Sequence, residues 1–416
     1  MDEFEKRTDK ILARINELAG YSEDQESLTR TFGSRAFVEA GKKVFSWMNE
    51  AGLQTTIDNI GNIRGRVLST NKSDKTFVMA SHIDSVVNAG KFDGPLGVIM
   101  GLDLMEHLTT SGSAIPLNVE LIAFSDEEGV RFHSTYLGSK VVAGTFDKEL
   151  LYKKDAAGIS VMELIQSLGG DANRLTENAI AAEDMAGYFE IHIEQGPVLY
   201  EKKIPAAIVS SIAGQRRIEL SFKGIAGHAG TVPMNRRNDA LCAAAACILE
   251  IERIATTQKN KVVATVGKLD ICNAASNVIP GEIVCSLDIR SDDDTILEAA
   301  SEKIYQACES VCKKRNIVFE WNCIQLTKPV ACDKYMNQLL EEAIKEAGYE
   351  VMQLVSGAGH DAVAISEIAP VAMLFVRCFK GISHNPQENV EPADIRASLM
   401  IAERFIHKLI STYNSQ

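Results

Sequence analysis

The sequence predicts an α/β fold with a mainly parallel sheet and a smaller inserted unit. Short apolar strands alternate with helices in the first part of the chain and again near its end, which is typical of a parallel sheet flanked by helices. Between these parts the order changes to strand–helix–strand–strand–helix–strand, the pattern of a ferredoxin-like unit. With 416 residues the chain also exceeds what one hydrophobic core usually organises, so two domains are expected.

Helical and strand patterns alternate in the first part of the chain. A helix is predicted from about Arg35 to Gly52, and the apolar segment 76–80 is predicted to be a short strand. Residues 97–108 have helical spacing, and 118–125 form another predicted strand. Because such sheets bind ligands at the carboxyl ends of their strands, the residues that follow each strand are the first candidates for a site.

The order of the predicted elements in the middle of the chain indicates the inserted unit. The predicted elements are strand 215–224, helix 238–255, strand 261–271, strand 282–291, helix 295–314 and strand 316–325. A helix at 334–349 and a strand at 371–377 then resume the first pattern. We therefore predict one domain from 1–212 and 329–416, with a second domain, 213–328, inserted into it.

Composition and charge disfavour several classes of protein. The chain is 46% hydrophobic and 24% charged, as in ordinary globular proteins, and its formal net charge is −13. Such an acidic surface repels phosphate backbones and anionic lipid. No apolar run approaches the roughly 20 residues of a bilayer span, and the first residues lack the apolar core of a secretory signal. We expect a cytoplasmic protein without nucleic-acid or membrane partners, whose nine cysteines are reduced and mostly structural.

An imidazole and two carboxylates follow the first predicted strand. His82 and Asp84 are two positions apart and can point to one face, so that Asp84 can hold the second ring nitrogen of a metal-bound His82. Asp93 lies in a turn between Gly90 and Gly94 and suits a carboxylate that bridges two cations. A polar turn in which Asp93 caps the next helix explains the same residues without a metal.

Two adjacent acids follow the strand at 118–125. Glu127 and Glu128 repel one another unless a cation or a shared proton lies between them. One of them can bind a metal while the other takes a proton from water. A solvated acidic turn is the alternative explanation.

Two more histidines follow apolar strands. His192 lies on the polar face of "YFEIHIEQG", and His384 lies in the loop "GISHNP" after the strand at 371–377. Together with the residues above they suit two divalent ions such as zinc, manganese or cobalt. By contrast, His107, His133 and His407 are interpreted as surface residues or as neighbours of the site.

Eight ordered motifs between residues 60 and 395 point to one enzyme group. They are "SHIDS…GKFDGPLG", "EEGVRF…LGS", "HIEQG", "GQRR", "GHAGTVPM", "SNVIPG", "GAGHDA" and "GISHNP". They resemble the N-carbamoyl-L-amino acid hydrolase, β-ureidopropionase and allantoate amidohydrolase group of the two-metal aminopeptidase/aminoacylase superfamily. The resemblance implies a two-metal, aminopeptidase-like catalytic domain and an inserted ferredoxin-like domain that forms a homodimer.

The resemblance also implies a ligand role for each matched metal-site residue. His82, Asp93 and His192 would hold one divalent ion. Asp93, Glu128 and His384 would hold the other, so that Asp93 bridges the two. A histidine at position 192, where peptidase branches of the superfamily carry an acidic ligand, favours the ureido branch.

The catalytic and substrate-binding roles are implied in the same way. Glu127 would be the general base that moves a proton from the attacking water to the departing nitrogen, and His228 would polarise the scissile carbonyl, either in its own subunit or across the dimer. Arg290 has a planar fork that can bind a substrate carboxylate through two parallel hydrogen bonds. Arg216 and Arg217 must face opposite ways on a strand, and the resemblance favours Arg217. The implied substrate-binding set is Gln195, Arg217, His228, Asn277, Arg290 and the backbone around Gly359.

The expected function is hydrolysis of a linear ureido group on a carboxylate-bearing substrate. An N-carbamoyl-L-amino acid is the first candidate substrate, with an amino acid, ammonia and carbon dioxide as products. Allantoate is the alternative substrate. A metallopeptidase or N-acyl amino acid deacylase, and a non-catalytic binding protein on the same scaffold, are weaker alternatives.

Overall fold

A computed structural model describes residues 2–110, 114–259 and 261–413. The helices are α1 (Glu3–Ala19), α2 (Arg35–Glu50), α3 (Pro95–Thr110), α4 (Leu137–Ala143), α5 (Val161–Ser167), α6 (Val198–Lys202), α7 (Ala240–Thr257), α8 (Asp294–Lys314), α9 (Lys334–Glu346), α10 (Ala362–Ile365) and α11 (Pro392–Tyr413). The strands are β1 (Gln54–Ile57), β2 (Ile63–Val67), β3 (Thr76–His82), β4 (Asn118–Phe124), β5 (Met185–Ile193), β6 (Ala206–Ile212), β7 (Gly214–Lys223), β8 (Gly227–His228), β9 (Val263–Thr265), β10 (Leu269–Ile271), β11 (Val278–Ile279), β12 (Glu282–Ser291), β13 (Val318–Thr327), β14 (Val330–Ala331), β15 (Gln353–Ser356) and β16 (Val371–Val376).

The chain forms two compact units. The first comprises the residues up to Ser210, Cys332–Leu354 and the residues from Gly359 onwards. The second comprises Ser211–Ala331 and the short segment Val355–Ala358.

The sheet of the first unit has a parallel centre. Along the strand order β4-β3-β5-β16, all three neighbouring pairs are parallel. Antiparallel strands flank this centre, with β2 and β1 beyond β4 and with β6 beyond β16. The predicted α/β fold with a mainly parallel sheet is therefore confirmed, and the carboxyl ends of four adjacent strands lie along one edge.

The central strands of the first unit do not alternate between apolar and polar residues, because they lie in its core. Every residue of β3 and β4 is buried, so both faces of these two strands are covered. Helix α3 is buried along most of its length, packing against β3 and β5 and against α1 and α11. Its position fixes the loop that carries Asp93, since α3 begins two residues later, at Pro95.

The second unit has the ferredoxin-like order. Its sheet runs β10-β12-β7-β13 with β9 also paired to β12, all strands being antiparallel, and α7 and α8 pack on one face. The core holds alternate residues of β7 and β12, such as Ile218 and Leu287, against the apolar face of α7. This is the βαββαβ unit that the sequence predicts.

Two elements differ from the sequence prediction. The strand expected at 261–271 is divided into β9 and β10, and Lys268 between them donates its backbone N–H to Ser286 Oγ. The first residues, for which no helix was predicted, form α1. Asp2 and Glu5 form a capping box at its start.

All nine cysteines lie among the described residues and are free thiols, as predicted. Among the described helices, none combines the length and the apolar character that a bilayer crossing requires.

Candidate active site

The predicted metal-site residues lie at the carboxyl edge of the parallel strands. His82 is the last residue of β3, and His192 is the penultimate residue of β5. Glu127 and Glu128 follow β4, and His384 follows β16. Because these four strands are neighbours, residues from distant parts of the sequence are brought together at one edge.

Three imidazole rings direct the same ring nitrogen to Asp93. Nε2 of His192 lies 3.1 Å from Asp93 Oδ1, and Nε2 of His82 lies 3.8 Å from the same oxygen. Nε2 of His384 lies 3.0 Å from Asp93 Oδ2 and 3.4 Å from Glu128 Oε1. The Asp93 carboxylate is thus shared between two sets of side chains, one on each oxygen.

The second ring nitrogens of two of these histidines are held by acceptors. Nδ1 of His192 lies 3.0 Å from the carbonyl oxygen of Ile193. Nδ1 of His82 lies 3.1 Å from the carbonyl oxygen of Asp84 and 3.6 Å from its carboxylate. A proton on Nδ1 leaves the Nε2 lone pair directed towards Asp93, which is the form that binds a metal.

The carboxylate of Asp84 has a further role that the sequence did not predict. It accepts hydrogen bonds from the backbone N–H groups of Glu127 at 3.2 Å and Glu128 at 3.1 Å. Asp84 therefore joins the loop after β3 to the acidic loop after β4, and its carbonyl oxygen, rather than its carboxylate, is the nearer acceptor for His82.

The electrostatics of the acids fit a cation at this position. Burial raises the pKa of Glu127 well above its usual range and, together with the nearby charge of Asp93, raises that of Glu128 to about 7. Burial also raises the pKa of Asp93, but the neighbouring imidazoles of His192 and His384 lower it more, so the pKa is well below its usual range. A divalent cation would favour the charged form of all three acids.

The ligand atoms are close enough to share metal ions. Three sets of side chains each place their donor atoms within 4.8 Å of one another: His82, Asp93 and His192; Asp93, Glu128 and His384; and His82, Glu127 and Glu128. In addition, Oδ1 of Asp93 is buried and accepts no hydrogen bond from a described residue. Imidazole and carboxylate donors around an unsatisfied carboxylate oxygen fit a metal site.

Three polar residues around Asp93 complete this arrangement. Gln195 donates from Nε2 to Asp93 Oδ2 at 2.9 Å, and Ser383 donates from Oγ to the same oxygen at 2.8 Å. Ser383 also lies 3.0 Å from Glu388 Oε2. Sequence reasoning missed Ser383 and Glu388, although Ser383 directly precedes His384.

The backbone of the site is strained at several positions. Asp126, Gln195 and His384 have φ values of 54°, 55° and 53°, in the left-handed region that non-glycine residues seldom occupy. Gly94 has φ 83°, and a Cβ at this position would lie 2.5 Å from Cε1 of His82. The turn "FDGP" therefore requires glycine both for its backbone conformation and for its approach to His82.

Gly359, predicted to contact substrate through its backbone, lies in the loop before α10. The neighbouring His360 is buried, and its ring centroid lies 4.5 Å from that of His192, edge to face. Burial lowers the pKa of His360 well below its usual range, so the ring is neutral behind His192.

The second unit brings the two predicted arginines together on one face of its sheet. Arg217 on β7 pairs in register with Asp288 on β12, and Gln215 pairs with Arg290. Arg290 binds Asp288 through Nε at 2.8 Å and Nη2 at 3.1 Å, and it donates from Nη1 to the carbonyl oxygen of Gly357 at 2.6 Å. Arg216 projects from the opposite face of β7, so Arg217 is the one that accompanies Arg290.

His228 and Asn277 form a separate group in the second unit. His228 lies on β8, which pairs with β11, and both His228 and Asn277 are exposed. Asn277 accepts the backbone N–H of Ala229 at 2.9 Å. Nδ1 of His228 accepts the backbone N–H of Gly230 at 3.1 Å, so the neutral ring carries its proton on Nε2 and can donate it to a ligand.

Sequence comparison finds relatives that match most of this chain. The chain is 39% identical to a probable allantoate deiminase of Oryza sativa subsp. japonica, over 96% of this chain and 88% of that protein. It is also 39% identical to an N-carbamoyl-L-amino acid amidohydrolase of Geobacillus stearothermophilus, over 83% and 84% of the two chains.

A solved structure, a hydantoinase/carbamoylase family amidase of Burkholderia multivorans, matches with a TM-score of 0.88. It is 30% identical, over 96% of this chain and 97% of that one. The sequence profile of Peptidase family M20/M25/M40 matches residues 78–408. The predicted relationship to the amidohydrolase group is confirmed, and the chain belongs to Peptidase family M20/M25/M40.

Proposed function

We propose that this chain is a metal-dependent amidohydrolase that cleaves the linear ureido group of a carboxylate-bearing substrate, with an N-carbamoyl-L-amino acid as the first candidate. The observation that carries the proposal is the shared Asp93 carboxylate, which has two imidazoles near Oδ1 and one near Oδ2. Relatives that cover most of the chain are named for ureido substrates.

Two divalent ions would be held at Asp93. His82 and His192 would complete one ligand set, and Glu128 and His384 the other. Mixed imidazole and carboxylate donors suit zinc, manganese or cobalt. When bound, such ions lower the pKa of water and polarise a carbonyl group.

Glu127 is the proposed general base. It is buried and belongs to the third set of converging donors, with His82 and Glu128. Its backbone N–H is held by Asp84, which fixes the loop that presents the side chain. Its carboxylate accepts a proton from the attacking water and passes it to the departing nitrogen, a role that requires the charged form at the start of the reaction.

The substrate carboxylate would be bound by arginine. The guanidinium of Arg290 is fixed by Asp288 and by the carbonyl of Gly357, so little rotational freedom is lost when a ligand binds. Arg217 lies beside it on the same face. We assign the remaining substrate contacts to Gln195, Asn277, His228 and the backbone around Gly359.

His228 would stabilise the negative charge that develops on the carbonyl oxygen. Because Gly230 donates to Nδ1, the Nε2–H group is the one that faces a ligand. A donor of this kind is effective when it is directed at the oxygen on which charge develops.

The overall reaction is balanced by one water molecule. The substrate R–NH–CO–NH₂ and water give R–NH₂, ammonia and carbon dioxide. Both bonds from the carbonyl carbon to nitrogen are broken, and the nitrogen that carries R leaves as the amine. Allantoate is the second candidate. It is supported by the relative named probable allantoate deiminase, which matches 96% of this chain, whereas the N-carbamoyl-L-amino acid amidohydrolase matches 83%.

A homodimer in the cytoplasm is also part of the proposal. The edge strand β13 pairs only with β7 among the described strands and exposes Val318, Ile324 and Leu326, which are 60%, 66% and 53% accessible. An apolar edge strand of this length favours pairing with a second copy of the chain.

An ammonia-release assay tests the proposal. The chain is stripped with a chelator, reloaded with manganese, cobalt or zinc, and offered N-carbamoyl-L-amino acids, allantoate, ureidoglycolate and 3-ureidopropionate. Ammonia release from at least one of them, lost on chelation and restored by metal, is expected. Cleavage of peptides or N-acyl amino acids without ammonia would contradict the proposal, as would unchanged turnover in the stripped chain.

A further inference from the structure

Two histidines and a glutamate from two different helices converge at a second place in the first unit. His107 lies near the end of α3, and Glu403 and His407 lie one turn apart on α11. Each offers a ligand atom within 4.8 Å of the others. The two rings meet edge to face, with centroids 6.3 Å apart.

The orientation of His107 matches that of a metal ligand. Its Nε2 lies 3.9 Å from Glu403 Oε2, and its Nδ1 lies 3.9 Å from the carboxylate of Glu3 on α1. When Nε2 binds a metal, a carboxylate on the Nδ1 side holds the ring proton and fixes the ring. Glu3 is in position to do this.

The local charge favours a cation. Among the ion pairs of the described residues here, three carboxylates, those of Glu3, Asp103 and Glu403, face one guanidinium, that of Arg7. Arg7 donates to Asp103 at 2.8 Å and also pairs with Glu403. The negative charges outnumber the positive one, so this pairing does not neutralise the cluster.

The donor atoms of the cluster are a short distance from the spacing that an ion requires. Donor atoms around a tetrahedral zinc ion are about 3.4 Å apart, which follows from bond lengths near 2.1 Å. Nε2 of His107 and Oε2 of Glu403 lie 3.9 Å apart and need to approach by about 0.5 Å, and atoms at the 4.8 Å limit need to approach by about 1.4 Å. His407 is exposed and free to change rotamer, whereas His107 and Glu403 are only partly exposed and provide the fixed side of the site.

We propose that His107, Glu403 and His407 form a binding site for a transition-metal ion such as Zn²⁺, separate from the metal centre at Asp93. His107 is twelve residues beyond Pro95 on α3, roughly 18 Å along the helix axis from the end that follows Asp93. A bound ion would connect α3 to α11. It would therefore stabilise the packing of the helix on which the Asp93 loop depends.

Zinc stoichiometry tests the proposal. The full chain is stripped with a chelator and dialysed against Zn²⁺, and bound zinc is measured by mass spectrometry. His107→Ala and His407→Ala are each expected to lose one zinc per chain relative to the wild-type chain. The matched control is His133→Asn, which removes another exposed imidazole at a left-handed position that asparagine accepts. It is expected to bind as much zinc as the wild-type chain.

Two further measurements separate this site from the metal centre. In an Asp93→Asn background, His407→Ala should still remove one zinc, because the two sites share no ligand. Zinc should also raise the melting temperature of the Asp93→Asn chain but not that of the double variant. The proposal is overturned if His107→Ala and His407→Ala bind as much zinc as the wild-type chain, or if zinc stabilises the double variant equally.

Discussion

Oε1 of Glu388 accepts the backbone N–H of Asp93 at 3.1 Å, across 295 positions of the sequence. The same oxygen accepts the N–H of Phe92 at 2.7 Å, so one carboxylate fixes the turn that presents Asp93. The space for Glu388 exists because residue 90 is glycine, where a Cβ would lie 2.3 Å from the Glu388 side chain. Glu388 thus orients the Asp93 carboxylate, although Glu388 is not itself one of the proposed metal ligands.

Glu388→Gln is expected to weaken metal binding roughly 10- to 100-fold, the usual effect of removing a residue that orients a ligand. The physical reason is that an amide accepts the two N–H groups less strongly than a carboxylate does. Metal affinity by competition with a chromophoric chelator is the measurement. Glu391→Gln, at an exposed acid in the same segment, is the control and should bind metal normally. Equal affinities in the two variants would show that Glu388 does not position Asp93.

Glu127→Gln should lower kcat about 10²- to 10⁴-fold or more, because the variant lacks the base that transfers the proton. Metal content should stay close to that of the wild-type chain, since the proposed ligands are intact. Turnover and metal stoichiometry are measured on the same preparation. If the variant instead loses metal, Glu127 is a ligand and the roles of Glu127 and Glu128 are wrongly assigned.

Arg290→Lys should raise KM for carboxylate substrates about 10- to 100-fold while changing kcat less. Lysine keeps the charge but cannot form the two parallel hydrogen bonds of the guanidinium, and a charge-assisted hydrogen bond contributes about 1.5–3 kcal/mol. Arg253→Lys is a matched control, since Arg253 is exposed on α7 and pairs only with Glu250 among its described neighbours. An unchanged KM in Arg290→Lys would place the carboxylate-binding group elsewhere.

Arg30→Met should lower the free energy of unfolding by roughly 2 to 4 kcal/mol, because a buried carbonyl left without its donor costs about 1 to 3 kcal/mol. Arg30 is fully buried and donates to the carbonyl oxygens of Ile83 at 2.6 Å and Leu18 at 2.8 Å, so it joins the end of α1 to the loop after β3. Burial lowers its pKa to about 10, which leaves it charged at neutral pH.

Urea unfolding followed by circular dichroism measures this effect. Arg35→Met, at an exposed arginine that begins α2 five residues after Arg30, is the control. It should change the free energy of unfolding by less than about 0.5 kcal/mol. A destabilisation of Arg30→Met no larger than that of the control would mean that the buried guanidinium contributes little net stability.

The convergence of the metal-site residues follows from features that are visible in the sequence. His82, Glu128, His192 and His384 each stand at or after the end of an apolar segment, and parallel strands place their carboxyl ends at one edge. The order of the strands in the sheet is not visible locally, and what the motif resemblance supplied was the grouping of the ligand residues around Asp93.

Other parts of the structure were not predictable in this way. Glu388 belongs to no periodic pattern, and its partners lie almost 300 positions away. His107 and His407 are interpreted from the sequence as surface residues or as neighbours of the site, because each stands on a separate helix. Their contact with Glu403 depends on how α3 and α11 pack, which is a property of the tertiary structure. The division of the strand at 261–271 likewise depends on its pairing with β12.

The most direct test of the central claim is anomalous diffraction from a crystal grown with excess Mn²⁺ or Zn²⁺. If Asp93 bridges two ions, two anomalous peaks are expected, one on either side of its carboxylate. One lies near Nε2 of His82 and His192, and the other lies near Nε2 of His384 and the carboxylate of Glu128. A single peak that contacts only one Asp93 oxygen, or peaks that leave Asp93 without a metal, would contradict it.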